Sequence, residues 1–129
     1  MIDWVRRLLG GKRAPLAGAP AVRRTKTYSA QTGYVYQYFY EGHRGAEYVF
    51  QVCSDRRRYF PVPVLLPPDV LDSWQRGRAR ELSSKERYAV AKLALFQAFN
   101  ERERPGQMAQ PVRIRPADID AIAETLGLL

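Results

Sequence analysis

The sequence predicts an α+β fold in which a three-stranded antiparallel β-meander, with a short fourth strand as an option, is covered by a long buried helix and two shorter helices. Two observations predict this fold. Apolar and polar residues alternate in segments between residues 33 and 65, which is typical of half-buried strands. Between residues 83 and 102, apolar residues cover most of a helix circumference, which is typical of a buried helix.

The first two strands are predicted to form a hairpin. Residues 33–41 alternate strictly and place four tyrosines on one face, and residues 46–53 alternate in the same phase. The E-G-H-R-G segment between them contains two glycines, as short hairpin loops often do. We expect Tyr40 to pair with Ala46, which sets the tyrosines opposite the aromatic residues of the second strand.

The third strand is predicted at residues 58–65. Pro61 and Pro63 lie two positions apart within it, so both missing N–H groups point the same way, as an edge strand tolerates. Residues 112–115, V-R-I-R, are the candidate fourth strand.

Three helices are predicted, at residues 67–77, 83–102 and 116–126. The second has the strongest signal, because Ser83 and Glu86 have the spacing of a capping box. We expect this helix to cover the tyrosine face of the sheet. The third helix is a candidate cover for the opposite face, or that face binds a partner subunit.

The charge divides the chain into a basic N-terminal segment, residues 1–26, and one α+β domain, residues 27–129. The formal net charge is +8, and seven basic residues but one acidic residue fall within residues 1–27. Residues 2–9 have the spacing of a short amphipathic helix, and a Gly- and Pro-rich stretch that is typical of a flexible linker follows.

The composition excludes several kinds of chemistry. One cysteine and one histidine rule out disulfide frameworks, multi-cysteine metal sites and two-histidine metal sites. The predicted hairpin separates His43 from Cys53 by roughly 24 Å, too far for a nucleophilic pair. No phosphate-binding glycine motif occurs, and the acidic pairs lie at helix starts or in surface positions. We therefore expect a protein that is not an enzyme and has no cofactor.

No apolar stretch reaches the roughly 20 residues that span a bilayer, so no transmembrane segment is expected. Arg6 and Arg7 interrupt the apolar residues near the N-terminus, which argues against a secretory signal and for a cytoplasmic protein. Binding to a membrane surface is not favoured.

These features favour a small protein-interaction module, with a protein partner or a homodimer. The candidate partner surface is semi-apolar and combines the second sheet face with the N-terminal segment: Trp4, Val35, Phe39 and Val49.

Nucleic-acid binding is the alternative, because tyrosines near arginines stack unpaired bases. The tyrosine face is the better cover for the long helix, however, which favours the core. The candidate contacts with nucleic acid or another anion are Arg6, Arg7, Arg13, Arg23, Arg24, Arg56, Arg57 and Arg58. A third hypothesis is a subunit of an enzyme whose chemistry lies on a partner chain.

Overall fold

The structure, a computed structural model, describes residues 15–128. Within this range a curled five-stranded sheet carries three α-helices and one short 3-10 helix. The strands are β1 (Lys26–Ser29), β2 (Val35–Arg44), β3 (Glu47–Cys53), β4 (Phe60–Leu65) and β5 (Val112–Arg113). The helices are α1 (Pro68–Arg78), α2 (Ser84–Glu101), the 3-10 helix (Pro105–Ala109) and α3 (Pro116–Leu126).

The strands lie in the order β1-β2-β3-β4-β5, antiparallel except for the parallel pair β4 and β5. The α+β class is confirmed. The predicted meander corresponds to β2 to β4 of a larger, five-stranded sheet, in which β5 is the optional fourth strand. The prediction missed β1, because its four residues K-T-Y-S are mostly exposed and carry no apolar alternation. β1 pairs with the first half of β2 and extends the meander on that side.

The predicted register of the hairpin is wrong. Tyr40 pairs with Phe50 instead of Ala46, because β2 runs on through the segment predicted as a loop and turns only at Gly45 and Ala46. Gly45 has a φ of +53°, a conformation that glycine adopts without strain. The partner of Tyr40 moves by an even number of residues, so every side chain keeps its predicted face.

A β-bulge in β2 sets the face of its last residues. The pairing shifts between Tyr40 and Gly42, so that Glu41 is the extra residue and His43 lies opposite Tyr48. His43 therefore shares a face with Tyr40. Gly42 has a φ of +139°, where a side chain would be strained.

The face of the sheet that the helices cover is called the helix face. It bears Tyr36, Tyr38, Tyr40, Tyr48 and Phe50, together with the inward residues of β4. Its side chains and those of α1, α2 and α3 form one buried hydrophobic cluster. The prediction that the long helix covers the tyrosines is confirmed, and Ser83 and Glu86 form the predicted capping box.

The other face is called the outer face and bears Val35, Gln37, Phe39, Val49 and Gln51. The expectation that the last helix covers it is wrong. α3 packs against α1 and α2 and adds Ile119, Ile122 and Ala123 to the core on the helix face. Phe39 and Val49 are buried but lie outside that core cluster.

β4 begins at Phe60, two residues later than predicted. The cause is the turn before it: the Asp55 carboxylate accepts hydrogen bonds from the backbone N–H groups of Arg57 and Arg58 at 2.8 and 3.0 Å. These groups are therefore committed to the turn and not to the sheet. Pro61 and Pro63 lie within β4 but do not pair with β5, because β5 pairs only with Val64 and Leu65 at the end of the strand.

Candidate functional site

A short arch of chain, residues 18–25, is called the strap and crosses one edge of the sheet. On one side of it, Ala17 and His43 exchange two backbone hydrogen bonds of 2.8 Å. On the other side, Lys26 pairs with Tyr38 in β1 and β2. The strap has more residues than the stretch of β2 between Tyr38 and His43. It must therefore arch away from the edge of β2 and leave a space beneath it.

Two glycines allow the strap to join the sheet at this point. A Cβ atom on Gly42 would lie 2.7 Å from the carbonyl oxygen of Ala17, which is closer than real Cβ atoms approach. A Cβ atom on Gly18 would lie 3.0 Å from the His43 ring. The glycines thus permit both the backbone pairing and the close packing of the histidine ring.

A cavity of about 550 Å³ lies between the strap, the end of the helix face and the first turn of α2, and is called the tyrosine cavity. Its volume lies within the range of small-molecule sites. The residues that line it are Gly18, Pro20, Val22, Arg24, Lys26, Tyr38, Phe39, Tyr40, His43, Gly45, Tyr48, Ser84, Lys85, Arg87 and Tyr88.

The charged side chains in the described lining are all positive: Arg24, Lys26, Lys85 and Arg87. A fifth basic residue, Lys92, lies beside Lys26. Its pKa is lowered, first by burial and then by the neighbouring Lys26. Arg87 is held in place, since its Nε donates to the Leu82 carbonyl at 3.1 Å. Cations from the strap, β1 and α2 therefore converge on one space.

Three tyrosines of the lining, Tyr40, Tyr48 and Tyr88, pack against one another. The rings of Tyr40 and Tyr88 have centroids 4.7 Å apart, and Tyr40 stacks on Tyr48 at 6.5 Å. Burial raises the pKa of Tyr40 above its usual value, and the neighbouring tyrosines Tyr48 and Tyr88 add to this shift. Burial also raises the pKa values of Tyr48 and Tyr88. All three are therefore neutral O–H donors at pH 7.

His43 lies at the edge of this cluster. Its ring is 5.4 Å from that of Tyr48, and its Nδ1 atom is buried with no hydrogen-bond partner in the described part of the chain. Its backbone joins the strap to the sheet. A movement of the strap would therefore shift a cavity side chain as well.

Arg23 and Arg24 of the strap, both predicted to contact an anion, lie in different places. Arg24 lines the tyrosine cavity. Arg23 points to the outer face, where its guanidinium lies 4.3 Å from the centroid of the Phe39 ring. Tyr59 contacts the same ring from 5.3 Å. Phe39 also lines the cavity, so it connects the cavity with this arginine–aromatic surface on the outer face.

The predicted cluster Arg56, Arg57 and Arg58 forms the exposed turn between β3 and β4 and runs directly into Tyr59. Asp55 holds this turn, and its pKa is lowered to about 2, chiefly by the hydrogen bonds from the backbone of Arg58 and Arg57. Arg56 has a φ of +63°, as the turn requires.

The candidate partner surface is only partly accessible. Val35 is 45% exposed, whereas Phe39 and Val49 are 8% and 5% exposed. Trp4, Arg6, Arg7 and Arg13 lie outside the described residues. Two further basic residues of the domain are engaged in ion pairs: Arg78 with Asp120 at 3.1 Å and Arg80 with Glu86 at 2.6 Å.

The structure does not bring His43 and Cys53 together. Cys53 pairs with Gln37 and His43 with Tyr48, which places them about 17 Å apart along the hairpin. The Cys53 thiol instead donates to Asp55 at 3.4 Å. Among residues 15–128, no three side chains of the metal-binding types gather at one point. Nor does any helix in that range have the length and apolar character needed to cross a bilayer.

Comparison with models of protein families, with curated proteins and with solved structures gives no match for this chain.

Sequence reasoning did not select Lys85, Arg87 or Tyr88 as site residues. All three belong to α2, and only the long-range arrangement of β1, α2 and the strap brings them to the cavity. One local signal was present: Gly42 lies inside a strand, where glycine often marks a bulge or a close approach of backbone.

Proposed function

We propose that this protein is a non-enzymatic binding module that holds an anionic ligand in the tyrosine cavity. One observation carries the proposal: the charged side chains of the described lining are all cationic, and tyrosine side chains line the same space. Like charges gathered in a concave site repel each other, and a bound anion relieves that repulsion.

The donors suit an anionic group with several oxygen atoms, such as a phosphate. Lys26 and Lys85 offer ammonium groups, and Arg87 offers a planar guanidinium that is already oriented by Leu82. The neutral hydroxyls of Tyr40 and Tyr88 add uncharged donors. Hydrogen bonds between an anion and donors of this kind are stronger than neutral ones.

Calorimetric titration with inorganic triphosphate tests the proposal. We expect binding at low salt to the full chain of 129 residues. The double variant Lys26→Gln/Lys85→Gln should bind at least about tenfold more weakly, since each hydrogen bond to a charged group contributes about 1.5 kcal/mol or more. Both lysines are at the surface, so the variant should fold, which circular dichroism checks.

The matched control is Arg76→Gln/Arg113→Gln, which removes the same charge from exposed positions outside the cavity lining. It should retain the affinity of the unmodified chain within about twofold. Equal losses in both double variants would mean that net charge alone attracts triphosphate. That result, or no binding at all, would contradict the proposal.

A second candidate function is self-association through the outer face. It is favoured by Val35 and Tyr59, which are 45% and 38% exposed in a part of the molecule where the described helices do not pack. Sedimentation velocity over the micromolar range tests it. A dimer that Val35→Lys converts to monomer would support this candidate, whereas a monomer at every concentration would remove it.

A further inference from the structure

We propose that the anionic ligand is single-stranded nucleic acid, with a backbone phosphate in the tyrosine cavity and bases stacked on the surface that Arg23 and Tyr59 form over the buried Phe39. This inference rests on the proposed function, because it names the ligand of the same cavity. We call that surface, together with Arg56, Arg57 and Arg58, the outer track.

The outer track begins where the cavity ends. Phe39 lines the cavity and also carries Arg23 on its ring at 4.3 Å and Tyr59 beside it at 5.3 Å. Guanidinium planes and tyrosine rings are the surfaces on which unpaired bases stack. Tyr59 is 38% exposed, so part of its ring is available to a base.

The track continues in a second group of cations. The turn that contains Arg56, Arg57 and Arg58 leads into Tyr59, and all three arginines are exposed. Asp55 fixes the turn through hydrogen bonds to two of their backbone N–H groups. The order is therefore cationic cavity, aromatic surface and cationic turn, which is the alternation that a chain of phosphates and bases requires.

The arrangement fits a single strand better than a duplex or an acidic peptide. The bases of a duplex are stacked within the helix, so they are not accessible to Tyr59 or Arg23. An acidic peptide would satisfy the cations of the cavity but would not use the flat surface of the track. A cationic cavity together with a flat stacking surface therefore fits a flexible polyanion that carries planar groups.

Fluorescence anisotropy with a 3′-labelled single-stranded DNA 12-mer tests the inference, with the same sequence as RNA, as a duplex and with a labelled 12-residue polyglutamate. We expect the full chain to bind either single strand more tightly than the duplex or polyglutamate. Tyr59→Ala should weaken single-strand binding by at least about fivefold, since stacking on an aromatic side chain contributes that much or more.

The matched control for this variant is Tyr34→Ala. Tyr34 is another exposed tyrosine, 42% exposed, and it contacts neither Phe39 nor the cavity. A second measurement uses the salt dependence of binding. Arg57→Gln should lower the slope of log affinity against log salt by about 0.7, the value of one phosphate contact on a single strand. Arg76→Gln should leave the slope unchanged.

The outcomes separate this inference from the proposed function. If Tyr59→Ala and Tyr34→Ala bind alike, or if polyglutamate competes with the strand at equal affinity, the inference fails while triphosphate binding and the anion site remain. If triphosphate itself does not respond to the cavity lysines, the proposed function fails and the inference fails with it.

Discussion

The two ends of one row of tyrosines differ in burial and in what surrounds them. At one end of β2, Tyr36 is 0% exposed and stacks on Phe99 with ring centroids 4.3 Å apart. At the other end, Tyr40 is half-buried and contacts Tyr48 and Tyr88 at the tyrosine cavity. The residue type, the strand and the face are the same, but one tyrosine belongs to the core and the other lines the tyrosine cavity.

The helix above the row accounts for the difference. Near its C-terminal end, α2 places Phe99 over Tyr36, and both rings are fully buried. Near its N-terminal end it places Tyr88, Arg87 and Lys85 over Tyr40, and these side chains do not close the space. The comparison teaches that a repeated residue takes its role from what lies opposite it. Four predictions can break or sharpen this comparison.

The largest effect is expected at the Tyr36 end of the row, where α2 covers the sheet completely. Phe99→Ala should lower the free energy of unfolding by about 3–5 kcal/mol, because it leaves a cavity beneath a fully buried aromatic ring. Urea denaturation measures this loss. The fraction that remains folded should still bind triphosphate, since Phe99 does not line the tyrosine cavity. A decrease in the free energy of unfolding of less than about 1 kcal/mol would show that Phe99 is not closely packed against Tyr36.

A smaller loss is expected where the strap joins the sheet. Gly42→Ala should cost about 1–3 kcal/mol, because Gly42 has a φ of +139° and its new Cβ would collide with the Ala17 carbonyl oxygen. It should also weaken triphosphate binding, as the strap carries Arg24. The control is Gly106→Ala, which meets open space. Equal stability of the two variants would contradict the close approach of strap and sheet.

Removal of single hydroxyls compares the two ends directly. The Tyr36 hydroxyl is buried and has no hydrogen-bond partner among residues 15–128, so Tyr36→Phe should keep the free energy of unfolding or raise it by about 1 kcal/mol. Tyr40→Phe should change stability by less than about 0.5 kcal/mol. It should nevertheless weaken triphosphate binding by about fivefold, because a donor is lost. If Tyr36→Phe weakened triphosphate binding and Tyr40→Phe left it unchanged, the comparison between the two ends would be wrong.

The last prediction concerns alkaline pH. Burial raises the pKa of Tyr38 to about 12, and the tyrosines Tyr88 and Tyr28 add to this shift. The folded state therefore favours the neutral phenol. The stability that this tyrosine contributes is fully present below pH 10 and is lost as the pH rises from about 10 to about 12.

Urea denaturation at several pH values measures this loss. Lys92 contributes with the opposite sign, because burial lowers its pKa. Tyr38→Phe isolates the tyrosine, and its stability should fall less steeply above pH 10 than that of the unmodified chain. Identical curves would show that Tyr38 does not titrate in this range.

Much of the fold could be predicted because local sequence patterns determine its strands and helices. Alternation placed the tyrosines on one face, and the capping box located the start of α2 at Ser83. The hairpin register failed, since β2 extends to a turn at Gly45, which moves every pair by four residues and leaves the alternation up to Tyr40 intact. The bulge at Glu41 changes the faces only beyond that point. Periodicity fixes which face a side chain occupies, and it does not fix its partner.

The candidate site was less predictable. The basic residues chosen from the sequence included Arg23, Arg24 and the turn from Arg56 to Arg58, which the structure places at the cavity or along the outer track. Lys85 and Arg87 were not chosen, because nothing in a helix start distinguishes a cavity residue from a solvated one. Their role depends on β1 and the strap, which lie far away in the sequence.

The parallel pairing of β5 has a consequence for the order of assembly. β1 to β4 are neighbours in sequence as well as in space, so their contacts form over short loops. β5 reaches β4 only after the chain has passed through α1, α2 and the 3-10 helix. Closing so long a loop costs more chain entropy than closing a hairpin. We therefore expect the two residues of β5 to pair with β4 late in folding, when the helices have already formed between them.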